Sequence, residues 1–179
     1  MEKTNWNAFK GCLTLIVAAI ILFVLVIFLL SLGGNKNSGT PSSKPATSTT
    51  SASTTAPEKS IGDVVLTLES QIREKFDKSN VFLQDNIIIA QVWIDGTTET
   101  AMTAMGDESL AKQWADMAES MRTTSEQTKA AIDASGNTDY HIAYYLMNDQ
   151  NDDNFLISTL DDTLMYDAVS GVNLLGTDE

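Results

Sequence analysis

Cysteine and histidine are nearly missing from this chain, with one of each in 179 residues. Cys12 precedes a long apolar run, so residues 33–179 hold no thiol and no intramolecular disulfide can form. A disulfide-free domain of this size fits a bacterial surface protein better than an animal extracellular one, which often carries disulfides. His141 is the sole imidazole and sits on what reads as a strand with aromatic neighbours, so Cys-His, Ser-His-Asp and His-rich zinc arrangements fail on inventory or spacing. Glycine-rich phosphate loops, a G-x-S-x-G elbow and a dinucleotide fingerprint are also absent, as is any Asn-x-Ser/Thr acceptor.

Positive charge is the next scarcity: 11 Lys and Arg stand against 24 Asp and Glu, for a formal net charge of -13. Its distribution is uneven, with about +3 on residues 1–57 and about -16 on residues 58–179. An acidic region without a basic patch repels phosphate backbones, which excludes nucleic acid as its partner.

One long hydrophobic run is present. Residues 13–32 carry no charged side chain and are apolar on every face; 20 residues at about 1.5 Å each span roughly 30 Å, the thickness of a bilayer's hydrocarbon core. The run reads as a single transmembrane helix. Lys3 and Lys10 precede it, so the positive-inside rule puts residues 1–12 in the cytoplasm and the remainder outside. A cleaved signal peptide is less favoured because the run exceeds most signal h-regions, and a lipoprotein signal because its acceptor cysteine follows the run whereas Cys12 comes before. Cys12 is a small residue at the helix edge or a palmitoylation site.

Residues 33–59 read as a disordered stalk: from Gly33 to Pro57, 18 of 25 residues are Gly, Ser, Thr or Pro, with no apolar side chain larger than Ala or Pro. Such a segment cannot bury enough surface to offset its ordering entropy.

Residues 60–179 read as one α+β domain, a two-layer sandwich in the order α-β-α-β-β-β, with two helices on one face of a mostly antiparallel four-stranded sheet. Ser60 and Asp63 form a capping-box-like start to a helix over residues 60–78, whose Ile61, Val65, Leu68, Ile72 and Phe76 recur every three or four residues. Residues 81–94 form one apolar run, apolar in both alternating sets, which predicts a single well-covered strand ending at Asp95-Gly96. Thr97 or Thr98 then caps a second helical region, interrupted at Gly106-Asp107, fading through residues 123–129 and stopping at Gly136. Residues 140–147, 155–160 and 163–169 read as three strands, the last two joined at Asp161-Asp162.

Chemistry is sparse. Paired carboxylates such as Asp152-Asp153 arise readily in so acidic a chain and do not mark a catalyst, so no catalytic or cofactor-binding residue is assigned and the expectation is not an enzyme. Asp149, Asn151 and Asp153 imitate the alternate oxygens of a calcium loop, but Asn154 replaces its glycine and Leu160 its bidentate glutamate. Ca2+ there competes with a plain solvated connection. Trp93, Trp114, Tyr140, Tyr144 and Tyr145 fit core spacing, and Trp93 and Tyr145 are the candidates for an outward ligand surface, for instance for sugars.

Lys10-Gly11-Cys12 before the run, Gly33-Gly34 after it, the N-D-Q-N-D-D-N-F-L stretch from Asn148 to Leu156 and Tyr166-Asp167 resemble a loose group of uncharacterised, membrane-anchored extracytoplasmic proteins of Gram-positive bacteria. That resemblance implies placement and no activity. The leading expectation is a membrane-tethered extracytoplasmic binding domain whose partner is an envelope protein or a cell-wall component. The alternatives are a surface hydrolase using acidic residues, with or without a metal, and an accessory subunit of an envelope complex.

Overall fold

A computed structural model describes residues 60–176; the expected cytoplasmic tail, transmembrane helix and stalk lie outside these. Ser60 opens helix α1 (Ile61–Lys75), its hydroxyl accepting the Asp63 amide at 3.2 Å, and Leu68 and Ile72 are its buried residues. Strands β1 (Lys78–Gln84) and β2 (Ile87–Trp93) follow, then helices α2 (Thr97–Ala104) and α3 (Glu108–Ala134). Strands β3 (His141–Met147), β4 (Phe155–Leu160), β5 (Thr163–Asp167) and β6 (Val172–Asn173) complete the chain.

All six strands join one sheet in sequence order, with β2 and β3 parallel and every other pair antiparallel. The fold is thus α+β with three helices and a six-stranded mixed sheet, which corrects the four-stranded expectation at three points. The run 81–94 is a hairpin and not one strand, because Asp85 enters the left-handed region at φ 54° and turns the chain between Gln84 and Ile87. Asp tolerates that conformation better than most residues, its short polar chain bonding locally. The interruption expected at Gly106-Asp107 is present and divides 97–134 into two helices, so three helices stand where two were expected; Asp107 caps α3 by accepting the Ser109 and Leu110 amides. The two-residue β6, too short to show periodicity, adds an edge strand to β5.

The helices share one face of the sheet. Ile88, Ala90 and Val92 of β2 pair in register with Ile142, Tyr144 and Leu146 of β3, and these six join Leu68, Ile72, Ala101, Ala104, Trp114 and Ile132 in one core. Ile88, Ile142 and Ile157 are wholly buried and Trp114 is 1% exposed. Burying such side chains contributes about 1.5–3 kcal/mol each relative to leaving them in water. The fading stretch of α3 stays helical because it meets a polar part of the core: Thr124, Ser125 and Thr128 are buried, and the Thr128 hydroxyl lies 3.1 Å from the Tyr144 phenol. At the far side of the core, Trp114 donates its indole N–H to the buried Asp167 carboxylate at 2.7 Å. α3 ends where Gly136, at φ 91°, supplies the left-handed turn expected after its last residues.

Candidate functional site

The loop between β3 and β4 holds the three oxygen-bearing residues that imitate a calcium loop. Asp149 turns its carboxylate away from that loop and onto the start of α2, accepting the Gly96 amide at 2.6 Å, the Thr98 amide at 2.9 Å and the Thr98 hydroxyl. Gly96 is the N-cap residue of α2 and has no side chain to offer, so a carboxylate some fifty residues later in the chain fills the role expected of Thr97 or Thr98. Burial raises the Asp149 pKa, yet the donations from Thr98 and Gly96 outweigh it and hold the carboxyl below its usual range. Asn151 accepts the Asp153 amide at 3.1 Å, and Asn148 accepts from Gln150 and Asn151. The side-chain oxygens of Asp149 and Asn151 thus serve a helix cap and a turn, while Asp153 is exposed. Among the described residues no group of three or more His, Cys, Asp or Glu is placed to hold a metal ion.

Trp93 and Tyr145 fall on the other face of the sheet. In the β2–β3 register Ile89 pairs with Ala143, Gln91 with Tyr145 and Trp93 with Met147, so these residues alternate with the core set and point away from it. Phe82 of β1, opposite Ile89, joins the same face, as do Ser158 and Leu160 of β4 and Tyr166 of β5 by their cross-strand partners. Phe155 stacks edge-on against Tyr145 and Tyr166, with ring centroids 5.2 and 5.1 Å away. No described helix packs here, since all three contribute their buried residues to the opposite face. Phe82, Ile87, Ile89, Trp93, Tyr145, Phe155, Leu160 and Tyr166 are partly buried, while Ala143, Met147 and Ser158 of the same face are buried.

Five strands at about 4.8 Å spacing and about six residues at 3.3 Å make this face roughly 20 Å square, or some 400 Å². That is the footprint of the face; its exposed apolar part is smaller, because Ala143 and Met147 are buried and Asn80, Gln84 and Gln91 are polar. Charge is confined to its rim. At one end Lys78 lies over the Trp93 ring, 4.6 Å from its centroid, and pairs with Asp152 at 2.7 Å. The Lys78 ammonium holds the Asp152 carboxyl below its usual pKa, helped slightly by the Trp93 indole N–H, which approaches without reaching hydrogen-bond geometry. At the other end His141 Nδ1 meets Asp161 Oδ2 at 2.6 Å, and Asp161 Oδ1 accepts the Ile142 amide. No hydroxyl or thiol is bonded to His141 among the described residues, so this pair orders the β4–β5 turn without forming a nucleophile's triad.

Of the aromatic residues weighed from sequence, Trp114 and Tyr144 are buried and Tyr140 packs against the core, while Trp93 and Tyr145 share the open face. Phe155, Tyr166, Ile89 and Phe82 are not among the ligand-surface candidates read from the sequence. Their signal was the second apolar set in residues 81–94 and the Phe-Leu and Tyr-Asp alternation of the last strands, which gain meaning only once the register is known. No protein-family model, curated protein or solved structure matches this chain.

Proposed function

We propose that this chain is a membrane-tethered extracytoplasmic binding domain of a bacterial cell envelope, not an enzyme. Residues 13–32 anchor it in the cell membrane, residues 1–12 remain cytoplasmic, and residues 33–59 space the domain from the surface. The apolar run, the flanking lysines and the Gly, Ser, Thr and Pro composition support that placement. One observation carries the binding role: a sheet face of half-buried aromatic and aliphatic side chains, uncharged between its rims, that no described helix covers. Its partner is an envelope protein or a cell-wall component met through that face.

The test places a photoreactive benzoylphenylalanine at Tyr145 or at Ala115, an exposed position on α3, in the full chain in intact cells. Irradiation gives discrete adducts from the sheet position and none from the helix. Equal labelling from both, or none from either, refutes the reading.

A further inference from the structure

We infer that Met102 and Met105 form an oxidant-accessible modification site, at which a neutral peroxide converts both thioethers to sulfoxides while the folded core stays intact. The site lies on α2, which packs on the other side of the sheet from the open face, and it does not depend on the binding role proposed above.

Exposure separates these two sulfurs from the rest. The chain has seven methionines, of which Met1 lies outside the described residues. Met117 is 1%, Met147 4% and Met121 8% exposed, and Met165 is half-buried. Close packing leaves few interior voids larger than a water molecule, so an oxidant meets the buried sulfurs only when the fold opens. Met102 is 67% and Met105 61% exposed, and both react without any opening. Three residues apart at the end of a helix, their Cβ atoms lie about 5–6 Å from each other, on one side of α2.

The opposite side holds the helix in place. Its buried residues are Thr97, Thr98, Thr100, Ala101 and Ala104, the Asp149 carboxylate caps its start, and the Met105 amide donates to the Ala101 carbonyl at 3.2 Å. None of these contacts uses a thioether, so an oxygen added to either sulfur projects into water and displaces no packed side chain. Oxidation of Met117 would instead put a polar group inside the core, the change that disrupts packed interiors.

Charge selects the oxidant. Glu99 precedes Met102 by three residues, Asp107 and Glu108 follow Met105, and no Lys or Arg lies between Lys78 and Lys112. Such a surface repels anionic oxidants and leaves hydrogen peroxide, which carries no charge, unaffected. In the reaction a sulfur lone pair attacks one peroxide oxygen and the O–O bond breaks. Sulfur keeps that oxygen and loses two electrons; the other oxygen leaves as water with both hydrogens.

The test treats the full-length chain in membranes with hydrogen peroxide and follows its tryptic peptides by tandem mass spectrometry. Lys78 and Lys112 bound a peptide holding both exposed methionines, and Met117 and Met121 fall in the next one, ending at Arg122. Met102 and Met105 each gain one oxygen about tenfold faster than Met117, Met121 and Met147. Methionine sulfoxide reductases for the two epimers reverse both additions, and Met102→Leu with Met105→Leu abolishes the fast reaction. The thermal midpoint of the chain oxidised at these two positions stays within about 2 °C of the untreated one in detergent. Rates within about threefold of one another at the five positions overturn the site, as does a larger fall in the midpoint during the fast reaction.

Discussion

Replacing Asp167 with alanine removes the most heavily bonded carboxylate of the core. Asp167 is 2% exposed and accepts the Trp114 indole N–H at 2.7 Å, the Val169 amide at 2.9 Å and the Ser170 hydroxyl at 2.6 Å. Ser170 is exposed and can turn to water, so its bond is replaceable. Trp114 is not, being 1% exposed, and its N–H would be left buried without a partner at a cost of about 1–3 kcal/mol. Losing the charge-assisted bonds themselves removes roughly 1.5–3 kcal/mol more. The expected total is about 2.5–6 kcal/mol, which at some 4 °C per kcal/mol lowers Tm by roughly 10–24 °C. Asp167→Asn keeps an acceptor for Trp114 and the Val169 amide, so it loses about 1–2 kcal/mol. Urea unfolding of fragment 58–179, followed by far-ultraviolet circular dichroism, measures all three proteins. An alanine variant within 1 kcal/mol of the parent, or an asparagine variant as damaging as alanine, refutes the reasoning.

Asp149→Asn removes a charged cap from α2 and destabilises the same fragment by about 1–2 kcal/mol at pH 7. Because the folded pKa of Asp149 is lowered, the carboxylate's contribution is complete above its unfolded value near 4 and is lost as pH falls through the folded one; the Asn variant therefore loses less stability than the parent between pH 5 and pH 3 in acid titrations. Millimolar calcium or a chelator shifts the thermal midpoint by less than about 1 °C, because Asp149 and Asn151 already use their side-chain oxygens internally; a calcium-dependent rise of several degrees contradicts that. Tyr144→Phe, which breaks the contact with Thr128, costs about 1 kcal/mol by urea unfolding. Lys78→Ala uncovers the Trp93 ring and raises acrylamide quenching of the fragment, whose other indole, Trp114, is buried.

Local chemistry was legible where a few adjacent residues decide it. Ser60 with Asp63, Gly136, the Asp161-Asp162 turn and the alternation of residues 140–147 each carry their own instruction, and each is followed. The hairpin within residues 81–94 was hidden because apolar runs on both sides of Gln84-Asp85-Asn86 outweighed three polar residues in a row. Distance hides the other features. The polar stretch of α3 looks like a fading helix until Tyr144 comes opposite Thr128, and the cap of α2 is supplied by Asp149 from another loop. Nothing within residues 95–105 points to that carboxylate, so the cap falls to Thr97 or Thr98 by default.

The open face was written in the sequence and misread for a related reason. A strand apolar in both alternating sets demands cover on both sides, and Ile87–Trp93 has that pattern, with Ile88, Ala90 and Val92 in one set and Ile87, Ile89 and Trp93 in the other. The inference to two covering layers is sound physics. The described helices form only one layer, and their faces are already filled by Leu68, Ile72, Ala101, Trp114 and Ile132. The second set remains half-buried, and each Å² of apolar surface that a partner covers there contributes roughly 25 cal/mol. On the binding role proposed above, a single charge at Ile89 or Tyr145 removes contact with the partner without disturbing the core, and photocrosslinking from Gln91 with and without that charge measures it.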